Sequence, residues 1–155
     1  MKTDVETWRG GDWETGRQRD LEEGGGRDTT AAMKITRHTE LQVFQRAFEA
    51  AMKIFEQSKS FPREEMYSLT DQMRRSSRSV AASITEAWRK RCYEAAFVSK
   101  LSDAETEAAE TQTWIQFAHR CGYLATDSAD AWNLEHEAII RMIVAMRSEP
   151  EKWVL

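Results

Sequence analysis

Apolar positions recur at steps of three and four along most of the chain, the spacing of amphipathic helices. The longest run covers 97–118. There Phe97, Leu101, Ala104, Ala108, Thr111, Ile115 and Ala118 form an a/d seam of three heptads uninterrupted by proline or glycine. At ~1.5 Å per residue the seam is about 30 Å long and requires partner helices along its whole length.

Three other runs supply those partners. Helix 1 is expected at about 40–59. Thr39 and Gln42 have the form of a capping box, and Leu41, Phe44, Ala47, Phe48, Ala51, Met52 and Phe55 make the apolar stripe. Phe61-Pro62 ends it, because proline disfavours helical geometry in the residue before it. Residues 63–69 read as a connector with room for one short helical turn at 62–65. Helix 2 is expected at about 70–89, with Asp71 at its positive end. Its seam is Met73, Ser77, Val80, Ile84 and Ala87, with Trp88 beside it.

Helices 2 and 3 as a single rod would exceed about 80 Å, so a turn is placed at 89–93 and helix 3 at 93–119. Gly122 is the natural left-handed cap, with apolar Leu124 able to fold back. Helix 4 is expected at 127–147, capped by Thr126 or Asp127. Its seam is Trp132, His136, Ile139, Ile143 and Met146, flanked by Ile140 and Val144, and Pro150 stops it. The tail Trp153-Val154-Leu155 either docks on the bundle or serves a neighbour. Four such helices with short connections and no strand pattern predict an all-α, antiparallel up-down four-helix bundle.

Composition changes the picture at one end. Residues 1–32 hold six of the seven glycines, with Val5 and Leu21 nearly the whole aliphatic supply. Such a segment cannot offset the entropy of its own ordering, so it is read as a disordered leader. Met33-Lys34 opens the patterned part so cleanly that Met33 is the expected native start and 33–155 the bundle domain. No apolar run approaches the ~20 residues of a membrane span. The first residues also lack the apolar core of a signal peptide, which makes cytoplasm the default and no membrane partner the expectation. Cys92 and Cys121 have no metal-ligand spacing and read as reduced thiols.

Catalytic patterns are missing. A di-iron bundle needs Glu-x-x-His on two helices, and the chain has none. Glu107 and Glu110 read instead as an exposed acidic face. His136, the only histidine on a seam, falls roughly level with Glu110 and is expected to hydrogen-bond to it. His119 would lie ~13 Å away along the axis, too far to share a metal. The serines of helix 2 have no histidine near them in sequence, and no glycine-rich phosphate loop precedes a helix. No catalytic residue, cofactor or metal is assigned, and the chain is read as a non-enzyme.

Charge supplies the one functional signal. The chain's net charge of −4 is small, but residues 69–91 carry six basic against two acidic side chains and residues 92–119 one against five. On a helical wheel Arg74, Arg78 and Arg89 fall within about 60° of one another, with Arg75 next to them and Lys90-Arg91 extending the ridge. This ridge either pairs with the acidic face of helix 3 (Asp103, Glu105, Glu107 and Glu110), in the same subunit or the next, or meets a phosphate backbone.

Several short motifs resemble a bacterial family. They are Leu41-Gln42-Val43-Phe44, Gln72-Met73-Arg74-Arg75 with Ser79-Val80, Phe97-Val98-Ser99-Lys100-Leu101-Ser102, Glu110-Thr111-Gln112-Thr113-Trp114 and Gly122-Tyr123-Leu124. In this order the chain resembles the small four-helix-bundle family also called the S23 ribosomal or 23S rRNA intervening-sequence protein family, over about residues 40–147. At Ala81, Ser83 and Ala87 it departs from the family's usual proline, asparagine and glycine. The resemblance implies an up-down bundle assembling into a ring, commonly a homopentamer. It also implies kinship with accessory proteins of diversity-generating retroelements, thought to bind nucleic acid and a reverse transcriptase. The expectation is therefore a homo-oligomeric, non-enzymatic interaction scaffold. The alternative is an RNA- or DNA-binding accessory protein using Arg74, Arg75, Arg78, Arg89, Lys90 and Arg91.

Overall fold

The structure, a computed structural model, describes residues 35–155; the expected leader at 1–32 and the proposed start at Met33 lie outside the described residues. Four helices follow in order: α1 (Gln42–Gln57), α2 (Asp71–Arg89), α3 (Glu94–Arg120) and α4 (Thr126–Ser148). Consecutive helices pack side by side, α4 closes on α1, and α2 with α3 makes the most extensive pairing. The result is the expected antiparallel bundle.

Local chemistry sets the ends. The N-cap of α1 is Leu41, extended and buried, and not Thr39. A 3₁₀ turn at His38–Glu40 takes the place of the expected capping box. Glu40 accepts from the Thr36 backbone N–H at 2.8 Å, while Gln45 donates back to the Thr39 carbonyl at 2.9 Å. After Pro62 the expected short turn appears as a 3₁₀ turn at Arg63–Glu65, and a π-helical turn, Met66–Thr70, leads into α2.

Ala81 and Ala87 are buried inside an unbroken α2, as expected of the best helix former. The α2–α3 turn falls at residues 90–93, within the window assigned to it. Gly122 sits at φ +79°. The Tyr123 N–H bonds the Ala118 carbonyl and the Gly122 N–H that of His119, both at 2.9 Å, the two bonds of a Schellman cap. Neither Thr126 nor Asp127 caps α4; its N-cap is the extended Ala125.

The core divides into two apolar clusters. One gathers Val43, Val80, Ile84, Trp88, Phe97, Leu101, Ile139 and Ile143 among others, and the other Ile54, Phe61, Leu69, Met73, Ile115 and Leu124. Between them in sequence, on three helices, lie the buried polar residues Ser76, Ser77, Thr111 and His136. The Thr111 hydroxyl donates to Ser76 Oγ at 2.9 Å, and His136 Nδ1 lies 2.8 Å from the Trp132 carbonyl. His136 is therefore buried as expected, but its partner is not Glu110, which faces the other side of α3. Burial holds the His136 imidazolium pKa below the ordinary histidine value, against the raising effect of that carbonyl and of Glu135.

The tail docks. Trp153 and Val154 pack against the first cluster, and the Leu155 N–H reaches the Arg91 carbonyl at 3.2 Å.

Candidate interaction surface

All seven positions of the α3 seam are fully buried. The α1 stripe is not. Its buried face is Val43, Ala47, Ala50, Ala51 and Ile54, so the helix is rotated from the expected stripe. Phe44 and Phe55 are left partly covered, and Phe48 and Met52 remain 41% and 37% exposed. With Val43 and Ile54 in the core, the Phe44–Phe48–Met52–Phe55 row is at its margin, Phe44 still packing against the first cluster. Within the row Phe44 and Phe48 are stacked at 6.0 Å.

The basic ridge of α2 separates into three groups. Arg74 and Arg78 turn toward α1, where their guanidinium carbons lie 5.0 and 5.3 Å from the centre of the Phe55 ring. Lys59 Nζ lies 4.7 Å from the same ring, so three cations share one aromatic. Arg74 Nε also donates to Ser58 Oγ at 2.7 Å, and Lys59 pairs with Glu56 at 2.7 Å. Arg75 turns the other way, to Gln72 at 2.8 Å and Glu110 at 3.7 Å. Arg91 folds onto Trp88, its guanidinium 4.0 Å from the ring centre and donating to the Trp88 carbonyl at 2.7 Å. Arg89 and Lys90 are exposed and form no ion pair among the described residues.

The acidic face of α3 likewise divides. Glu105 faces α4, where Arg147 stands at 2.7 Å in an ion pair that lacks hydrogen-bond alignment. Asp103 pairs with Lys100 at 3.1 Å, and Lys100 also holds Glu86 of α2 at 2.9 Å. Glu110 accepts from the Trp114 indole N–H at 3.0 Å, and Trp114 lies 5.8 Å from the Phe117 ring, itself 54% exposed. Glu107 stands apart, with its Oε2 atom enclosed and without a hydrogen-bond partner. Burial, followed by the neighbouring Glu110 charge, raises the Glu107 carboxyl pKa; Arg75 partly opposes this. Within one chain, then, ridge and face meet directly only at Arg75–Glu110.

Helix α2 therefore separates two unlike flanks. The α1 side carries Met52, Phe55, Lys59, Arg74 and Arg78, and the α3 side Glu107, Glu110, Trp114 and Phe117. Phe55, Trp114 and Phe117 escaped the sequence reading as surface residues. The available signal was an excess: α1 has more large apolar side chains than one buried face can hold.

Other sites offer less. An open cleft of about 450 Å³ is lined by Leu41, Val43, Met142, Met146 and Trp153, but its polar groups are engaged with one another, Lys152 with Glu149 and Glu40 with Thr36 and Arg37. No group of three His, Cys, Asp or Glu side chains converges as a metal site among the described residues. Nor is any helix among them long and apolar enough to cross a membrane.

Comparison with known proteins places the chain. No curated protein matches it. A crystal structure of a protein with unknown function from the S23 ribosomal protein family of Bacteroides thetaiotaomicron superposes with a TM-score of 0.63 at 26% identity, covering 68% of this chain and 95% of that one. The family model described as 23S rRNA-intervening sequence protein matches residues 39–145. From the bundle, the order of its motifs and these two matches, the chain belongs to the 23S rRNA-intervening sequence protein family.

Proposed function

We propose that this protein is a non-catalytic, self-associating helical bundle that serves as an interaction scaffold. The observation that carries this reading is the placement of large apolar side chains outside a completed core. Met52, Phe117 and Leu134 are 37%, 54% and 68% exposed, while the interior is filled by other residues. Phe117 lies beside Trp114 and Glu110, and large exposed apolar side chains next to charged ones are common at protein–protein surfaces. Five copies is the number implied by the family resemblance. Native mass spectrometry tests the reading: assemblies of a single copy number support it, and a lone 17.9 kDa chain at all concentrations contradicts it.

A second reading has a specific observation behind it. Lys59, Arg74 and Arg78 surround Phe55, with Glu56 the single acid paired to any of them. Cations beside an aromatic ring suit single-stranded nucleic acid, which needs both phosphate neutralisation and a stacking face. Titration of labelled single-stranded RNA through a salt series checks it. Binding that falls steeply with salt and is lost in R74A/R78A supports this reading, and no binding at low salt removes it.

A further inference from the structure

We infer that the two flanks of α2 are the two halves of one intersubunit contact: the basic Phe55 flank of one copy seats on the acidic Trp114–Phe117 flank of the next. This rests on the self-association proposed above and specifies where it occurs.

Chemical complementarity is the first support. One flank presents Lys59, Arg74 and Arg78 beside Phe55 and Met52, and the other presents Glu107 and Glu110 beside Trp114 and Phe117. Each combines an apolar centre with an excess of one sign of charge, Glu56 opposing it on the first and Arg75 on the second, and the excesses are opposite. Such pairing steers encounter and fixes register. Aromatic and arginine side chains are also the types enriched at the energetic centres of interfaces.

Glu107 gives the second. Within its own chain one carboxylate oxygen is enclosed and has no donor, while Glu110 adds repulsion. A buried acceptor left unpaired costs free energy comparable to a lost hydrogen bond. A guanidinium from another copy, meeting the part of the Glu107 side chain that stays exposed, would offset the repulsion between the two carboxylates.

The third support is level. The Thr111–Ser76 hydrogen bond and the Arg75–Glu110 pair fix the register of α3 against α2. In that antiparallel register Arg74 is level with residues 111–112 and Arg78 with Glu107, while Arg74 and Arg78 turn to the α1 side of α2. The two flanks are thus at one height along the bundle axis. They also occupy adjacent sides of a four-helix bundle, roughly a right angle apart. A heterologous contact with little rise and a turn of that size closes into a ring after a few copies and does not grow into a filament.

Charge reversal in the full chain tests the contact. R78E and E107R, each alone, are expected to raise the concentration at which the assembly dissociates by about tenfold or more. The combined R78E/E107R chain, with the two signs exchanged across the same contact, is expected to return to within about threefold of wild type. Arg78 faces Phe55 and not Glu107 within its own chain, so recovery reports contact between copies. Circular dichroism checks folding, and R78Q and E107Q provide milder forms of the same test. Single reversals that leave dissociation unchanged, or a combined chain no stronger than its parents, overturn the inference while leaving self-association intact. Loss of RNA binding in R78E with unchanged assembly also overturns it, assigning the basic flank to phosphate. A wild-type chain that stays single refutes the self-association beneath it.

Discussion

Helices α1 and α3 carry similar densities of apolar residues and use them differently. Helix α3 lies between α2 and α4, and every position of its seam is buried. Its small residues Ala104 and Ala108 share a core cluster with Ala81 of α2, and Thr111 hydrogen-bonds Ser76. Helix α1 also packs between α2 and α4, less extensively, and divides its apolar residues between two faces. Small and β-branched residues go inward, and the phenylalanines and Met52 go sideways or outward. A helix with one apolar face is a core element; one with two is a core element with a surface to share.

The largest expected consequence of this difference is in core truncation. Leu101→Ala on α3 should cost about 2–5 kcal/mol, because a fully buried leucine leaves a cavity in a packed layer. Met52→Ala on α1 should cost less than about 1 kcal/mol in the single chain, yet weaken assembly. Urea unfolding, at a dilution where both variants are single chains, makes the comparison; equal losses would erase the distinction between the helices.

The buried His136, which lies in sequence between the two clusters' residues on α4, makes a pH prediction. His136 is buried and its folded pKa lies below the ordinary 6.5, chiefly through desolvation. The unfolded chain therefore takes up the proton first as pH falls. Stability from this group is complete above pH 6.5 and is lost as pH drops below it, until the folded pKa is reached. The slope is up to about 1.4 kcal/mol per pH unit. Thermal unfolding between pH 7.5 and 5 reads it, and His136→Gln should flatten the profile in that window. An unchanged slope in the variant would assign the pH dependence to other groups.

Two smaller effects concern the joints of the bundle. Gly122→Ala should cost about 1 kcal/mol. The cause is backbone strain at φ +79° and not crowding, since nothing lies within 4 Å of an added methyl group. Arg46 and Glu135 join α1 to α4 through two bonds of 2.7 and 2.8 Å. Both side chains are substantially exposed, so Arg46→Ala should cost less than about 1 kcal/mol. The Arg46 hydrogen bond lowers the Glu135 pKa. That contribution is present above the ordinary carboxylate value of 4.5 and fades as pH falls through the lower folded value. Chemical denaturation at pH 7 and pH 3 measures both terms.

The bundle was legible from periodicity because three of its helices bury a single continuous stripe. On α3 the seam and the buried face coincide residue for residue, and Gly122 marks its end by backbone chemistry alone. On α1 the i, i+3, i+4 spacing pointed to a stripe through the phenylalanines as the core face. The structure buries Val43, Ala50 and Ile54 instead, with Ala47 and Ala51 common to both faces. The charged surface was legible as composition and not as arrangement. Neighbouring arginines 74 and 75 differ by about 100° around the helix, enough to send them to opposite sides of α2. Which acids they reach depends on the α2–α3 register, set by Thr111 and Ser76. Helix N-caps at Leu41 and Ala125 lack side-chain acceptors and left no mark in the sequence.

The central claim is that the outward apolar groups of α1 and α3 are covered by other copies of the chain. The most direct measurement is light-scattering mass of wild type, Met52→Asp and Phe117→Asp side by side, with helicity recorded for each. The account predicts a defined multiple of 17.9 kDa for wild type and folded single chains, or sharply weakened assemblies, for both variants. Variants that retain the wild-type mass and its resistance to dilution, or a wild type that is itself a single chain, would contradict it.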